Sequence, residues 1–267
     1  MSRLPALRLF ALCAIFLLGL LGALPATAGG PIGVVLLHGK TGTPNQMNKL
    51  AAALTAAGYA LDVPELCWSK NRIFDKSFSN CLTEVDDAVA RLKAKGAARV
   101  VVAGVSQGAI GAFGYGASRQ GLAGVISMAP AADPVNLAKY PGLADGIDKA
   151  RDLIAKGQGD SPTHLSDIIT GGKEAPVATT ANIFMSFHDP AGPIATIHNL
   201  MADVLPKETA PVLWVAGSRD PSQGIAPQAY ATLPGNPLNH YATVDADHGG
   251  TPDASAGVII AWLKTLP

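Results

Sequence analysis

Nowhere in this chain do lysine and arginine gather into a long run, and its 20 basic residues are balanced by 20 acidic ones. A protein that grips nucleic acid neutralises phosphates with clustered cations, so that class of partner is not expected. Cysteine is scarce, with three in 267 residues. Two cysteines with no nearby histidine do not make a zinc site, so no metal is expected. The loop "GKTGTPNQ" does not match a P-loop, because Lys40 is not followed by the right glycine pattern, and it is not a G-x-G-x-x-G fingerprint. Internal repeats and low-complexity stretches are absent. A long apolar run occurs once, at residues 9–24, and no later segment reads as membrane-bound.

That run sits in "MSRLPALRLFALCAIFLLGLLGALPATAGG". Arg3 and Arg8 precede it, and Ala26, Thr27 and Ala28 form an A-x-A site after it. This is the pattern of a secretory signal peptide over residues 1–28, cleaved after Ala28. A retained anchor is the alternative, but the run is short for a spanning helix. The expected location is therefore exported, periplasmic or extracellular. Cleavage removes Arg3, Arg8 and Cys13, which leaves 18 basic against 20 acidic residues. Cys67 and Cys81 remain, in a compartment that permits disulfides, and a bridge between them is expected across "CWSKNRIFDKSFSNC".

Through the rest of the chain, strand-like runs alternate with helical periodicity. Strands are expected at 32–39, 59–66, 99–105, 123–130, 211–220 and 240–247. Helices are expected at 43–58, 81–96, 107–117 and 253–266, with a short one in "QAYATLPG". The first run, "IGVVLLHG", is apolar throughout, as a strand buried on both faces should be. The alternation implies one α/β domain over residues 29–267, a three-layer sandwich around a mostly parallel sheet of about six strands. Residues 134–210 are far longer than an ordinary connection. They read as a helical and loop cap inserted between the fourth and fifth strands, with helices near 146–156 and 194–204 and a polar, glycine-rich stretch between.

"GVSQG", residues 104–108, matches G-x-S-x-G with a strand before it and a helix after it. In that setting Ser106 is a candidate nucleophile, although a structural glycine-serine turn has the same letters. A serine hydroxyl needs a base, and the base needs an orienting acid. In open α/β sheets ligands gather beyond the carboxyl ends of strands, so the partners belong there. Asp220 closes "PVLWVAGSRD" and His248 follows the last strand in "DADHGG". Asp220 before Pro221 also reads as a plain helix cap. His188 is the reserve base and Asp133 the reserve acid.

With those residues in view, the chain resembles the α/β-hydrolase superfamily, in particular its small exported esterase- or lipase-type members. The matching pieces are "VVLLHG", "GVSQGA", "VLWVAGSRD" and "DADHGG", and the resemblance spans about residues 32–266. It implies Ser106 as nucleophile, Asp220 as acid and His248 as base. It further implies an oxyanion hole from the backbone N–H groups of Lys40 and Gln107, with His38 and Gly39 as the supporting loop. The expected reaction is ester hydrolysis through an acyl-enzyme, without metal or organic cofactor, on a small or lipid-like neutral ester. An amidase or peptidase of the same mechanism is the alternative, and a non-catalytic exported binding protein is a further one. Trp68, Phe74, Phe78, Phe184, Met185 and Phe187 are candidates for an apolar pocket wall, or for ordinary core. Lys70 and Arg72 keep an anionic substrate group open.

Overall fold

The computed structural model describes residues 30–130, 140–169 and 172–267. The signal-peptide expectation and Asp133 lie outside the described residues. Six strands form the main sheet: β1 Ile32–Leu37, β2 Ala60–Asp62, β3 Arg99–Val105, β4 Gly124–Met128, β7 Val212–Gly217 and β8 His240–Val244. Their order is β2-β1-β3-β4-β7-β8, and every neighbouring pair is parallel. The second expected strand, 59–66, is real but shorter, and its residues from Val63 onward enter a loop. Pro64, which cannot donate to a ladder, accounts for the early stop.

Both faces of the sheet are covered, and β1 shows how one strand serves two cores. All six of its residues are buried. Val34 and Leu36 pack with Leu50 and Leu54 of α1 (Asn48–Ala56) and with Ile259 and Trp262 of α9 (Ala256–Leu263). Val35 and Leu37 pack on the other side, with Val85 and Leu92 of α2 (Phe78–Ala94) and Phe113 of α3 (Gln107–Ser118). Alternate side chains of a strand point to opposite faces, so a strand buried twice must be apolar at every position. Each fully buried valine or leucine contributes about 1.5–3 kcal/mol.

The connection from β4 to β7 carries α4 (Pro141–Ala155), a hairpin of β5 (Pro162–Ile169) and β6 (Lys173–Thr180), α5 (Ala181–His188) and α6 (Ile197–Asn199), which runs into a π turn at Leu200–Val204. The hairpin corrects the expectation of a helical and loop insertion. The polar stretch read as loop is an antiparallel pair from Pro162↔Thr180 to Ile169↔Lys173. The inserted segment docks on the loop after β2: Phe78 N–H donates to Ser186 Oγ at 3.0 Å, and Thr179 Oγ1 donates to the Phe74 carbonyl at 2.9 Å. Between these bonds lies an aromatic cluster, with Phe74 and Phe187 ring centroids 4.6 Å apart and Phe78 and Phe187 5.6 Å apart. Trp68 stacks on Phe78. Trp68, Phe78, Phe184 and Phe187 are thus buried packing between insertion and domain, and Phe74, equally buried, packs with them and also borders a cavity. Cys67 and Cys81 form a disulfide, with Cα atoms 5.7 Å apart, that closes the same loop. Among the described residues no helix is long and apolar enough to cross a membrane.

Two shorter helices complete the fold: α7 (Ala226–Tyr230) after β7, and α8 (Thr251–Ala254) after β8.

Candidate active site

Ser106 is the residue between β3 and α3, and its backbone is held at φ 56°, ψ −121°. An L-residue rarely takes a positive φ, and holding one there costs about 1–3 kcal/mol. The turn is that sharp because strand gives way to helix in a single residue. Both glycines of "GVSQG" are required by contact: a Cβ on Gly104 would run into the Gly108 carbonyl, and one on Gly108 into the Leu37 carbonyl. The Ser106 N–H donates to the Met128 carbonyl at 3.0 Å, which ties the turn to the end of β4. Ser106 itself is half-buried.

Asp220 and His248 leave the same edge of the sheet, three residues beyond β7 and four beyond β8. Their side chains meet, His248 Nδ1 to Asp220 Oδ2 at 2.7 Å. Asp220's side chain is 1% exposed and that of His248 39%, so the acid is enclosed while the imidazole faces outward. The other carboxylate oxygen, Oδ1, accepts from the Ser222 N–H at 2.9 Å and from its hydroxyl at 2.7 Å. The helix-cap reading of Asp220 is therefore also true: one oxygen caps the turn and the other holds the histidine. Burial opposes the Asp220 charge, but the bonds from His248 and Ser222 outweigh it and hold the carboxyl below the ordinary range.

Among the described residues no hydrogen bond joins the Ser106 hydroxyl to His248. Such contacts commonly tighten only when substrate is bound. The flanking acids are otherwise engaged: Asp247 Oδ1 accepts from Gly250 N–H at 2.7 Å, and Asp245 pairs with Arg219.

The turn after β1 lies against Ser106. A Cβ placed on Gly39 would come 3.4 Å from Ser106 Cβ. His38 is fully buried below this turn. Its Nε2 accepts from the Leu66 N–H at 3.1 Å, so the proton sits on Nδ1, which donates to the Gly39 carbonyl at 2.9 Å. Burial pushes the His38 pKa down, against the opposing pull of the Gly39 carbonyl, and the ring is a neutral brace. Gln46, which sequence alone did not single out, accepts the Gly39 N–H at 2.8 Å. Thr41, at φ 47°, donates its N–H to the Trp68 carbonyl at 2.8 Å, and Trp68 Nε1 returns a bond to the His38 carbonyl at 2.9 Å. Lys40 stands at the centre of these braces. Gln107, the first residue of α3, carries one of the N–H groups that a helix start leaves without an intrahelical acceptor.

His188 does not approach this edge through the triad position. It pairs with Asp167 of β5, which also binds Lys40. This cluster was not visible in the sequence, since no spacing links residues from three separate elements. Arg72 is matched by Asp75 and by Glu84, at 2.9 and 2.6 Å. A cavity of about 390 Å³ lies between the loop at Ile73 and Phe74 and the strands carrying His164 and Thr179, and it is lined by none of Ser106, Asp220 and His248.

Comparison with known proteins gives a consistent family. A thermostable monoacylglycerol lipase of Bacillus sp. (strain H-257) is 29% identical over 151 residues, which is 55% of this chain and 54% of the lipase. The aligned part thus spans about half the length of that curated relative. Among solved structures, the monoacylglycerol lipase of Paleococcus ferrophilus aligns with a TM-score of 0.62 at 18% identity, over 90% of this chain and 97% of that one. A structure from work on the metagenome-derived lipolytic enzymes LipS and LipT aligns with a TM-score of 0.58 at 19% identity, over 87% and 91% of the two chains. At such identity these two speak for the fold alone. The family model for serine aminopeptidase S33 matches residues 32–232, a span that holds Ser106 and Asp220 and stops before His248. The chain belongs to this serine aminopeptidase S33 family of α/β hydrolases.

Proposed function

We propose that this protein is a serine hydrolase that cleaves carboxylic esters through an acyl-enzyme. The observation that carries the reading is the 2.7 Å bond between enclosed Asp220 and outward-facing His248, on the same sheet edge as the strained Ser106 turn. In this mechanism His248 takes the Ser106 proton as Oγ attacks the carbonyl. Asp220 fixes the imidazole tautomer and stabilises the imidazolium. The N–H groups of Lys40 and Gln107 receive the oxyanion, each donor worth roughly 3 kcal/mol. His248 then protonates the leaving alcohol and activates the water that releases the acid.

For the substrate we propose a neutral, partly apolar ester of the monoacylglycerol type. Two observations support it. The curated relative is named for that activity. Arg72 carries carboxylate partners, so it is not set aside for an anionic substrate. Residues 134–210 serve as the cap in this reading, and residues 1–28 direct export to the periplasm or beyond.

The test is hydrolysis of a monoacylglycerol series and of matched amides by the purified protein and by Ser106→Ala. Ester turnover that exceeds amide turnover and is lost in the variant is the expected result. Turnover that survives in Ser106→Ala would refute the nucleophile, and amide cleavage above ester cleavage would favour the peptidase alternative.

A further inference from the structure

We propose that Asp167 is a positioning residue for the oxyanion hole: it reaches out of the insertion, holds the Lys40 side chain, and so fixes the Lys40 backbone N–H beside Ser106. This rests on the reading of Lys40 as an oxyanion donor.

Lys40 Nζ and Asp167 Oδ1 are 2.6 Å apart across 127 residues of sequence. Asp167's side chain is fully buried and Lys40's is 18% exposed. Both carboxylate oxygens are engaged: Oδ1 also accepts the Ile168 N–H at 2.7 Å, and Oδ2 meets His188 Nε2 at 3.2 Å. The Lys40 ammonium lies 5.5 Å over the Phe74 ring, and the His188 ring packs 4.5 Å from that of Phe184. Burial opposes the Asp167 charge, yet His188 and Lys40 beside it hold the carboxyl well below its usual range. The ion pair is thus intact and tightly seated.

A buried ion pair is a poor source of stability, because desolvation offsets its attraction and an apolar pair of similar size often does as well. What such a pair supplies is a defined geometry. Here the geometry concerns one turn. Its neighbours are already pinned, Gly39 by Gln46 and Thr41 by Trp68. Asp167 pins the side chain of the remaining residue from β5, within the inserted segment. Oxyanion donors act by being held in place before the reaction, and a displacement near 1 Å costs about 10²-fold in rate.

Asp167→Asn removes the charge from the tether and Lys40→Met cuts it, the second leaving the backbone N–H in place. The double variant removes both charges. The expected result is a fall of roughly ten- to a hundredfold in kcat/KM for both single variants, with no larger fall in the double. Affinity for an alkyl trifluoromethyl ketone, whose adduct with Ser106 carries an oxyanion, should weaken in parallel. Affinity for the matching alkyl ether, which forms no oxyanion, should stay unchanged. The double variant should melt closer to wild type than either single while its turnover stays low. If Asp167→Asn does not fold, Lys40→Met carries the same comparison.

Folded variants with wild-type kcat/KM and ketone affinity would overturn the proposal. So would equal losses for ketone and ether, or activity that returns together with stability in the double variant. Failure of the underlying reading looks different, since the wild-type protein would then neither hydrolyse esters nor form a ketone adduct.

Discussion

Asp220 and His248 lie 28 residues apart in the chain and 2.7 Å apart in the fold, with the acid enclosed and the imidazole facing outward. The separation is set by the sheet: β7 and β8 are neighbouring parallel strands, so the loops that follow them leave side by side. A carboxylate that touches only Nδ1 leaves Nε2 for chemistry.

Asp220→Asn should therefore lower ester kcat by about 10⁴-fold, because an amide no longer selects the tautomer that can accept the Ser106 proton. The fold should survive, since the Asn carbonyl can still accept from Ser222. There is also a pH signature. The carboxyl is depressed in the folded state, so its stabilising effect is present above the unfolded value near 4 and is lost as pH falls through the folded value. The Tm advantage of wild type over the variant should shrink as the solution is taken below about pH 4. A gap that widens in acid would contradict this.

Much of this arrangement is legible in the amino-acid sequence. "IGVVLL", "RVVVAGV" and "VLWVAG" are continuous apolar runs because both faces of the sheet are covered, and they mark β1, β3 and β7 directly. Ser106 was legible because the glycines two before and two after it are sterically required. The β5–β6 hairpin was not. Its buried face carries Asp167 beside Leu165, so the alternation of apolar and polar residues is broken where a charge is paired inside. Pro176 sits inside β6, where proline is not expected, and further disguises it as loop. The same charged residue that hid the strand is the one that tethers Lys40.

Glu208 gives a prediction of the opposite sign. It is buried beside Gly116 of α3, with Oε1 accepting the Ala210 N–H at 3.1 Å and Oε2 without a hydrogen-bond partner among the described residues. Burial, against the opposing pull of the Ala210 and Thr209 N–H groups, raises its carboxyl to about 7. A raised acid contributes stability that is full below its unfolded value and lost as pH rises through the folded one. Above pH 7 the charge costs about 3 kcal/mol. Glu208→Gln should melt several degrees higher than wild type at pH 9, with the gap closing towards pH 5. Thermal melts across that range decide it, and a gap independent of pH would mean that the buried charge is not the cause.

The Cys67–Cys81 bridge closes a loop of 14 residues, for which chain entropy gives about 3 kcal/mol. Cys67 precedes Trp68, whose carbonyl and indole brace the turn beside Ser106. A reductant should lower the Tm and also ester turnover, and a Cys67→Ser, Cys81→Ser double variant should start low and ignore the reductant. A wild-type protein equally active and stable when reduced would detach the bridge from the site.

Whether Ser106 is an activated nucleophile is decided by intact mass after exposure to an alkyl fluorophosphonate. One adduct is expected on the wild-type protein, none on Ser106→Ala, and strongly slowed labelling in Asp220→Asn. A folded wild-type protein that takes no adduct at pH 8, or a Ser106→Ala protein that labels as fast as wild type, would contradict that role for Ser106.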